Sequence, residues 1–97
     1  IINEKGESSL FTNLPKTSIG NGIRFDKSDN MYIADYTNHN ILLIKKGLTQ
    51  AVVFANDSTM NQPNDLAISP NGTLYASDPN WEKNTGNIWM ISNQNFI

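Results

Sequence analysis

Two asparagines and two aspartates stand at repeated positions in this chain of 97 residues. Asn21 and Asp35 are 14 residues apart, and so are Asn64 and Asp78, with a turn signal midway in each stretch. An antiparallel hairpin folded at that midpoint returns the aspartate to the side of the asparagine. Each pair then offers a carboxylate and an amide oxygen near one edge of a sheet, hard donors that suit Ca2+ or Mg2+. The same residues have a structural use. An aspartate ending a strand commonly caps a turn, and a repeated Asn–Asp pair can be scaffold. The chain holds fifteen asparagines, and turn chemistry accounts for most of them; position singles out Asn21 and Asn64.

Other chemistry-bearing residues are weaker. His39 is the only histidine, in the polar stretch Thr37-Asn-His-Asn40, and has no triad partner in view, so it reads as a solvated loop residue. Trp81 and Trp89 read as packing residues, with Trp81 in a loop that could border a pocket. Tyr32 and Tyr75 repeat in register, which favours a place in the core or between sheets. The triplets Asn56-Asp-Ser58 and Asn71-Gly-Thr73 match the glycosylation sequon, a short pattern in an asparagine-rich chain.

The elements that position these residues come from an internal repeat. Asn21-Gly-Ile-Arg-Phe-Asp aligns with Asn64-Asp-Leu-Ala-Ile-Ser at an offset of 43 residues, and the same offset superposes Tyr32 on Tyr75. Asn40-Ile-Leu-Leu-Ile matches Asn87-Ile-Trp-Met-Ile after a four-residue insertion, expected in a loop between Asn80 and Thr85. Each copy alternates apolar and polar residues, turns at Asp26-Lys-Ser-Asp-Asn30 or Pro70-Asn-Gly72, and returns. Third strands are expected at Ile41–Ile44 and Ile88–Ile91, and a fourth at Ala51–Ala55. No window has helical periodicity with caps.

An offset of this size falls among the roughly 40–50 residues of a four-stranded β-propeller blade. The expected fold is therefore all-β, two four-stranded antiparallel blades of an incomplete propeller. Residues 1–19 supply the outer strand of a preceding blade through Ser8–Leu14, residues 20–60 a complete blade, and residues 61–97 three strands of the next. Two blades do not close a ring of about 4–8. Either the chain is part of a longer protein, the preferred expectation, or three copies assemble into six blades, each first strand completing its neighbour's last sheet.

Composition removes several function classes. The net charge is −2, with 16% charged residues and no block of one sign, which leaves no basic footprint for nucleic acid or anionic lipid. No apolar run nears the ~20 residues of a membrane-spanning helix, and no signal peptide is visible; the compartment is left open. Without cysteine there is no disulfide framework, thiolate metal site or cysteine nucleophile.

The stretch Gln62-Pro-Asn-Asp-Leu-Ala-Ile-Ser-Pro-Asn-Gly-Thr-Leu-Tyr-Ala-Ser-Asp-Pro79 resembles the gluconolactonase and regucalcin-like (senescence marker protein) family. Gly20-Asn-Gly-Ile-Arg-Phe-Asp26 is similar to that family's preceding blade, and the order and separation of the two motifs extend the resemblance over most of residues 20–92. The block from Asn21 to Ile44 equally resembles an NHL repeat, a propeller blade used mainly for binding.

The lactonase resemblance implies a six-bladed propeller with one divalent cation, Ca2+ or Zn2+, polarising a lactone carbonyl and activating water. It assigns Asn64 to the substrate and metal pocket, with Asn21 a lesser substrate-binding candidate from the neighbouring blade; Asp78 is a further metal-ligand candidate from the hairpin geometry alone. The family's first-blade glutamate, its later asparagine ligand and its catalytic aspartate have no counterparts in these 97 residues, and its frequent arginine is Gln62 here. The expected function is a section of a metal-dependent lactonase, inactive alone, acting on a small-molecule lactone. The alternative is an NHL-like binding module without catalysis.

Overall fold

The computed structural model describes residues 1–92, which form an all-β structure with no helix among them. Seven strands make two antiparallel sheets. The first sheet contains β1 (Gly20–Phe25), β2 (Met31–Asp35), β3 (Asn40–Ile44) and β4 (Val52–Asn56). The second contains β5 (Leu66–Ile68), β6 (Leu74–Asn80) and β7 (Thr85–Ile91). Both are meanders in which sequential strands are neighbours, the outcome when short turns join alternating apolar segments.

The 43-residue repeat persists at the level of single rungs. Arg24 faces Tyr32 across β1–β2, and Ala67 faces Tyr75 across β5–β6. Tyr32 faces Leu43 on β3, and Tyr75 faces Met90 on β7. The turns agree as well. Asp29 N–H donates to the Asp26 carbonyl at 3.1 Å and Gly72 N–H to that of Ser69 at 2.9 Å. Both Asp29 and Gly72 take positive φ, 63° and 88°, which glycine adopts freely and aspartate tolerates better than most.

The four inserted residues are not absorbed in a loop, as the sequence suggested. They lengthen the β6–β7 hairpin by two rungs, Pro79–Gly86 and Asn80–Thr85, beyond the rung Asp78–Asn87 that matches Asp35–Asn40. Because side chains alternate with period two, sharing the insertion equally between the strands leaves each residue on its original face.

Packing divides into two layers. Tyr32, Ala34, Ile41 and Leu43 of the first sheet bury against Leu66, Leu74 and Ala76 of the second, with Phe54 and Trp89 at the margin. Ring centroids of Tyr32 and Phe54 lie 5.1 Å apart at 80°, the edge-to-face arrangement aromatic rings prefer. On the reverse of the first sheet, Ile33, Leu42 and Ile44 meet Phe11 and Leu14 of the N-terminal segment.

That segment differs from expectation. Ser8–Leu14 is not a strand; its only pairing among the described residues is an isolated bridge between Ile2 and Ser8. A strand is stabilised by a ladder, and the described residues contain no third sheet to supply one. Its position still follows the repeat, since Phe11 stands 43 residues before Phe54 and packs on the equivalent face of the preceding sheet position. Residues 93–97, the end of the expected second unit, lie outside the described residues.

Candidate functional site

The two sheets approach closely at the start of their first strands. Register slips by one residue between Gly20 and Ile23, a bulge that bends β1 toward β5. Gly22 sits in the bulge, and a Cβ there would lie 2.7 Å from the Asn64 carbonyl oxygen and 2.8 Å from Asp65 Cα. Only glycine permits that approach. Beside it, Arg24 and Asp65 form an exposed ion pair at 3.3 Å, a minor contribution to stability.

Directly at this contact, the Asn21 Nδ2 donates a short hydrogen bond to Asn64 Oδ1. The two asparagines singled out by the repeat therefore touch. Asn64 is half-buried and Asn21 exposed, and the bond fixes which end of the Asn64 amide faces Asn21. Asn64 Nδ2 has no hydrogen-bond partner among the described residues and remains a donor.

The aspartates lie next to the asparagines in register, but their carboxylates turn inward and are buried. Asp35 accepts from Ser18 Oγ at 2.6 Å and from the N–H groups of Ile19, Thr37 and Asn38 at 3.2–3.4 Å. Asp78 accepts from Asn61 N–H, from Gln62 N–H at 2.6 Å and from Trp89 Nε1 at 2.8 Å. Asn61 and Gln62 follow Ser18 and Ile19 by 43 residues, so one clamp is built twice. In each sheet it ties the segment entering the first strand to the second strand, at the last residue of β2 and two residues before the end of β6. Burial pushes the Asp35 carboxyl upward, but the Ser18 hydroxyl and the N–H groups of Ile19, Asn38 and Thr37 outweigh it and hold the group below its ordinary value.

Trp89 was legible only as a packing residue. Its indole N–H, half-buried on β7, needed an acceptor, and Asp78 on the paired strand is that acceptor. Trp81 instead projects from the β6–β7 turn with 67% of its surface exposed. It borders a groove of 410 Å3 whose wall also includes Asn64, Ser77, Thr85, Asn87 and Ile88. An aromatic face, an apolar floor and several amides and hydroxyls in one concavity suit a small polar ring with an apolar edge. His39 lies in the β2–β3 turn at a φ of 60°, apart from this groove.

As a cation site the arrangement is poor. The Asp78 oxygens already accept three donors, and Asn64 Oδ1 accepts from Asn21, which leaves no convergent set of free oxygens between them. No group of three or more His, Cys, Asp or Glu among the described residues could hold a metal ion. No helix among them is long and apolar enough to cross a membrane. Comparison with protein families and with curated proteins finds no match for this chain.

Proposed function

We propose that the chain is a two-blade section of a lactonase-type β-propeller, and that it supplies the substrate-binding wall rather than the reacting groups. The observation that carries this reading is the contact between Asn21 and Asn64. Equivalent residues of two sheets meet only if the first strands converge, the arrangement of blades around a common axis. On that wall the Asn64 Nδ2 donates to a lactone carbonyl or ring hydroxyl, and Trp81 covers the apolar face of the ring. A divalent cation would polarise the carbonyl, but this chain's oxygens do not fit one, so its donors and the general base are assigned to parts beyond these 97 residues. The chain alone binds and orients; it does not turn over.

Titrating the 97-residue chain with a six-membered sugar lactone, followed by tryptophan fluorescence and amide NMR shifts, tests the reading. Expected are quenching through Trp81, shifts at Asn64, and no hydrolysis with Ca2+, Zn2+ or a chelator. Metal-stimulated hydrolysis by the isolated chain would overturn the division of labour.

A second reading, an NHL-like binding module, is favoured by the duplicated clamp: the Asp35 and Asp78 carboxylates serve the scaffold in the same way. Absence of any lactone response in that titration would select it.

A further inference from the structure

Two asparagines in this chain are followed by glycine, Asn21 and Asn71. That dipeptide is able to modify itself, because a glycine nitrogen carries no side chain to screen it from the preceding asparagine's amide carbon. The fold treats the two pairs in opposite ways. Asn21 Nδ2 is held by Asn64 Oδ1, and Gly22 is pressed against the backbone of Asn64 and Asp65. Attack there would have to break that bond and displace the neighbouring sheet.

Asn71–Gly72 lies instead at the tip of the β5–β6 turn, with Asn71 exposed. Asn71 Oδ1 accepts from the Ser69 hydroxyl and, at 3.2 Å, from Thr73 N–H. A side chain that reaches Thr73 N–H folds back over the intervening Gly72 peptide, as in an Asx turn. The same two donors sit where negative charge gathers when the amide carbon is attacked. Asn71 Nδ2, the group that must leave, has no acceptor among the described residues. One bond opposes the reaction: Gly72 N–H donates to the Ser69 carbonyl at 2.9 Å. It is a single turn bond at an exposed hairpin tip, the kind that opens locally at little cost.

The repeat shows that this exposure belongs to the turn itself. Ser28 stands at the matching place 43 residues earlier, and it is exposed although the second sheet packs beside its own. The two turns line one small concavity, so adjacent copies leave these tips open.

We propose that Asn71–Gly72 is a self-modifying site that converts to aspartate or isoaspartate in the folded protein. The Gly72 nitrogen, giving its proton to solvent, bonds to Asn71 Cγ. The Cγ–Nδ2 bond breaks, Nδ2 takes up a proton and leaves as ammonia, and a cyclic imide remains. Water then opens the ring. Cleavage between the Gly72 nitrogen and Cγ gives aspartate; cleavage between that nitrogen and the residue 71 carbonyl carbon gives isoaspartate. Nothing is oxidised or reduced. Either product adds a negative charge, and isoaspartate also adds a methylene to the backbone of the turn that sets the β5–β6 register. The inference is independent of the lactonase reading, since this turn lies at the far end of β5 from Asn64.

The 97-residue chain is aged in mildly alkaline buffer at body temperature, digested, and both sites are quantified by mass spectrometry. Isoaspartate is identified by enzymatic methylation of its carboxylate. Expected is conversion at Asn71 at least about 10-fold faster than at Asn21, equivalent to ~1.4 kcal/mol of barrier. A parallel sample in guanidinium removes the fold and should bring the two rates together. Gly72→Ala, aged in guanidinium so that folding is immaterial, should slow conversion at residue 71 sharply. Equal rates at the two sites of the folded chain would overturn the proposal. So would an Asn71 that stays intact when folded yet converts in guanidinium, or undiminished conversion in Gly72→Ala.

Discussion

Asn21 donates its side-chain amide to Asn64 across two sheets that share no strand pairing. That contact exists because Gly22, one residue on, lets the β1 backbone lie against the Asn64 carbonyl and Asp65. Gly22→Ala should therefore destabilise the fold by about 1–3 kcal/mol, the range for forcing volume into a packed contact. The clashing atoms include backbone, so no side chain can move aside to relieve the overlap fully. Gly86→Ala is the control, since an added Cβ there would meet its neighbours at ordinary distances of 3.5 Å and more. Urea midpoints for the two variants, read with the Asn21 side-chain NMR signals, decide the matter; equal midpoints would refute the role given to Gly22.

The Asp35 clamp predicts an acid limb in stability. Its carboxyl is held below the ordinary 3.8 by hydrogen bonds that outweigh burial, so the unfolded state takes up a proton first. The stabilisation is complete above the unfolded value and is lost as pH falls through the folded one. Unfolding free energy should thus decline below about pH 4, where unfolded aspartates begin to protonate. Asp26 adds in the same direction: its burial is outweighed by Asn30, Ser28 and the Tyr32 hydroxyl. Asp35→Asn should flatten this limb, while Asp35→Ala should destabilise by about 3 kcal/mol at neutral pH by leaving buried N–H groups without an acceptor. Chemical denaturation from about pH 2 to 7 spans the carboxylate range and provides the comparison. An unaltered limb in Asp35→Asn would be the contrary result.

These clamps mark the limit of what the residue string conveyed. The offset of Asn21 from Asn64, and the alternation through Ile23, Phe25 and Met31, located the strands, because side-chain period and turn residues are local properties. The meeting of the two asparagines was also within reach once the copies were aligned. What the spacing did not reveal was the direction of the Asp35 and Asp78 carboxylates. Most of their partners are main-chain N–H groups, those of Ile19 and Gln62 among them, and almost every residue has such a group, so no residue type announces them; only Ser18, Thr37 and Trp89 contribute side-chain donors that the string could have offered. The strand expected at Ser8–Leu14 failed for a different reason: a strand needs a partner edge, and propensity alone does not create one.

Asn64 should matter to ligand and little to stability. Its side chain is only half-buried, so Asn64→Ala should shift the urea midpoint slightly while weakening sugar-lactone binding about 5- to 10-fold, the equivalent of one hydrogen bond near 1 kcal/mol. Trp81→Ala should lose the fluorescence response and a similar share of affinity. Isothermal titration with both variants checks this. Unchanged affinity in both would remove the groove from consideration as the binding wall.

Tyr32 and Tyr75 hold the same place in the two copies, yet only Tyr32 is buried within one chain. Tyr32→Ala should therefore cost about 3–5 kcal/mol, as for other large aromatic side chains removed from a core, at any protein concentration. Tyr75→Ala should behave differently. Its side chain is partly exposed on the face of β6 turned away from the first sheet, so its loss should stay within about 0.5 kcal/mol, the usual size for a surface substitution. Thermal unfolding of both variants beside the wild type reads the difference. A loss at Tyr75→Ala as large as that at Tyr32→Ala would mean that the two tyrosines are packed alike, and that the exposure of the second sheet's outer face does not describe the protein in solution.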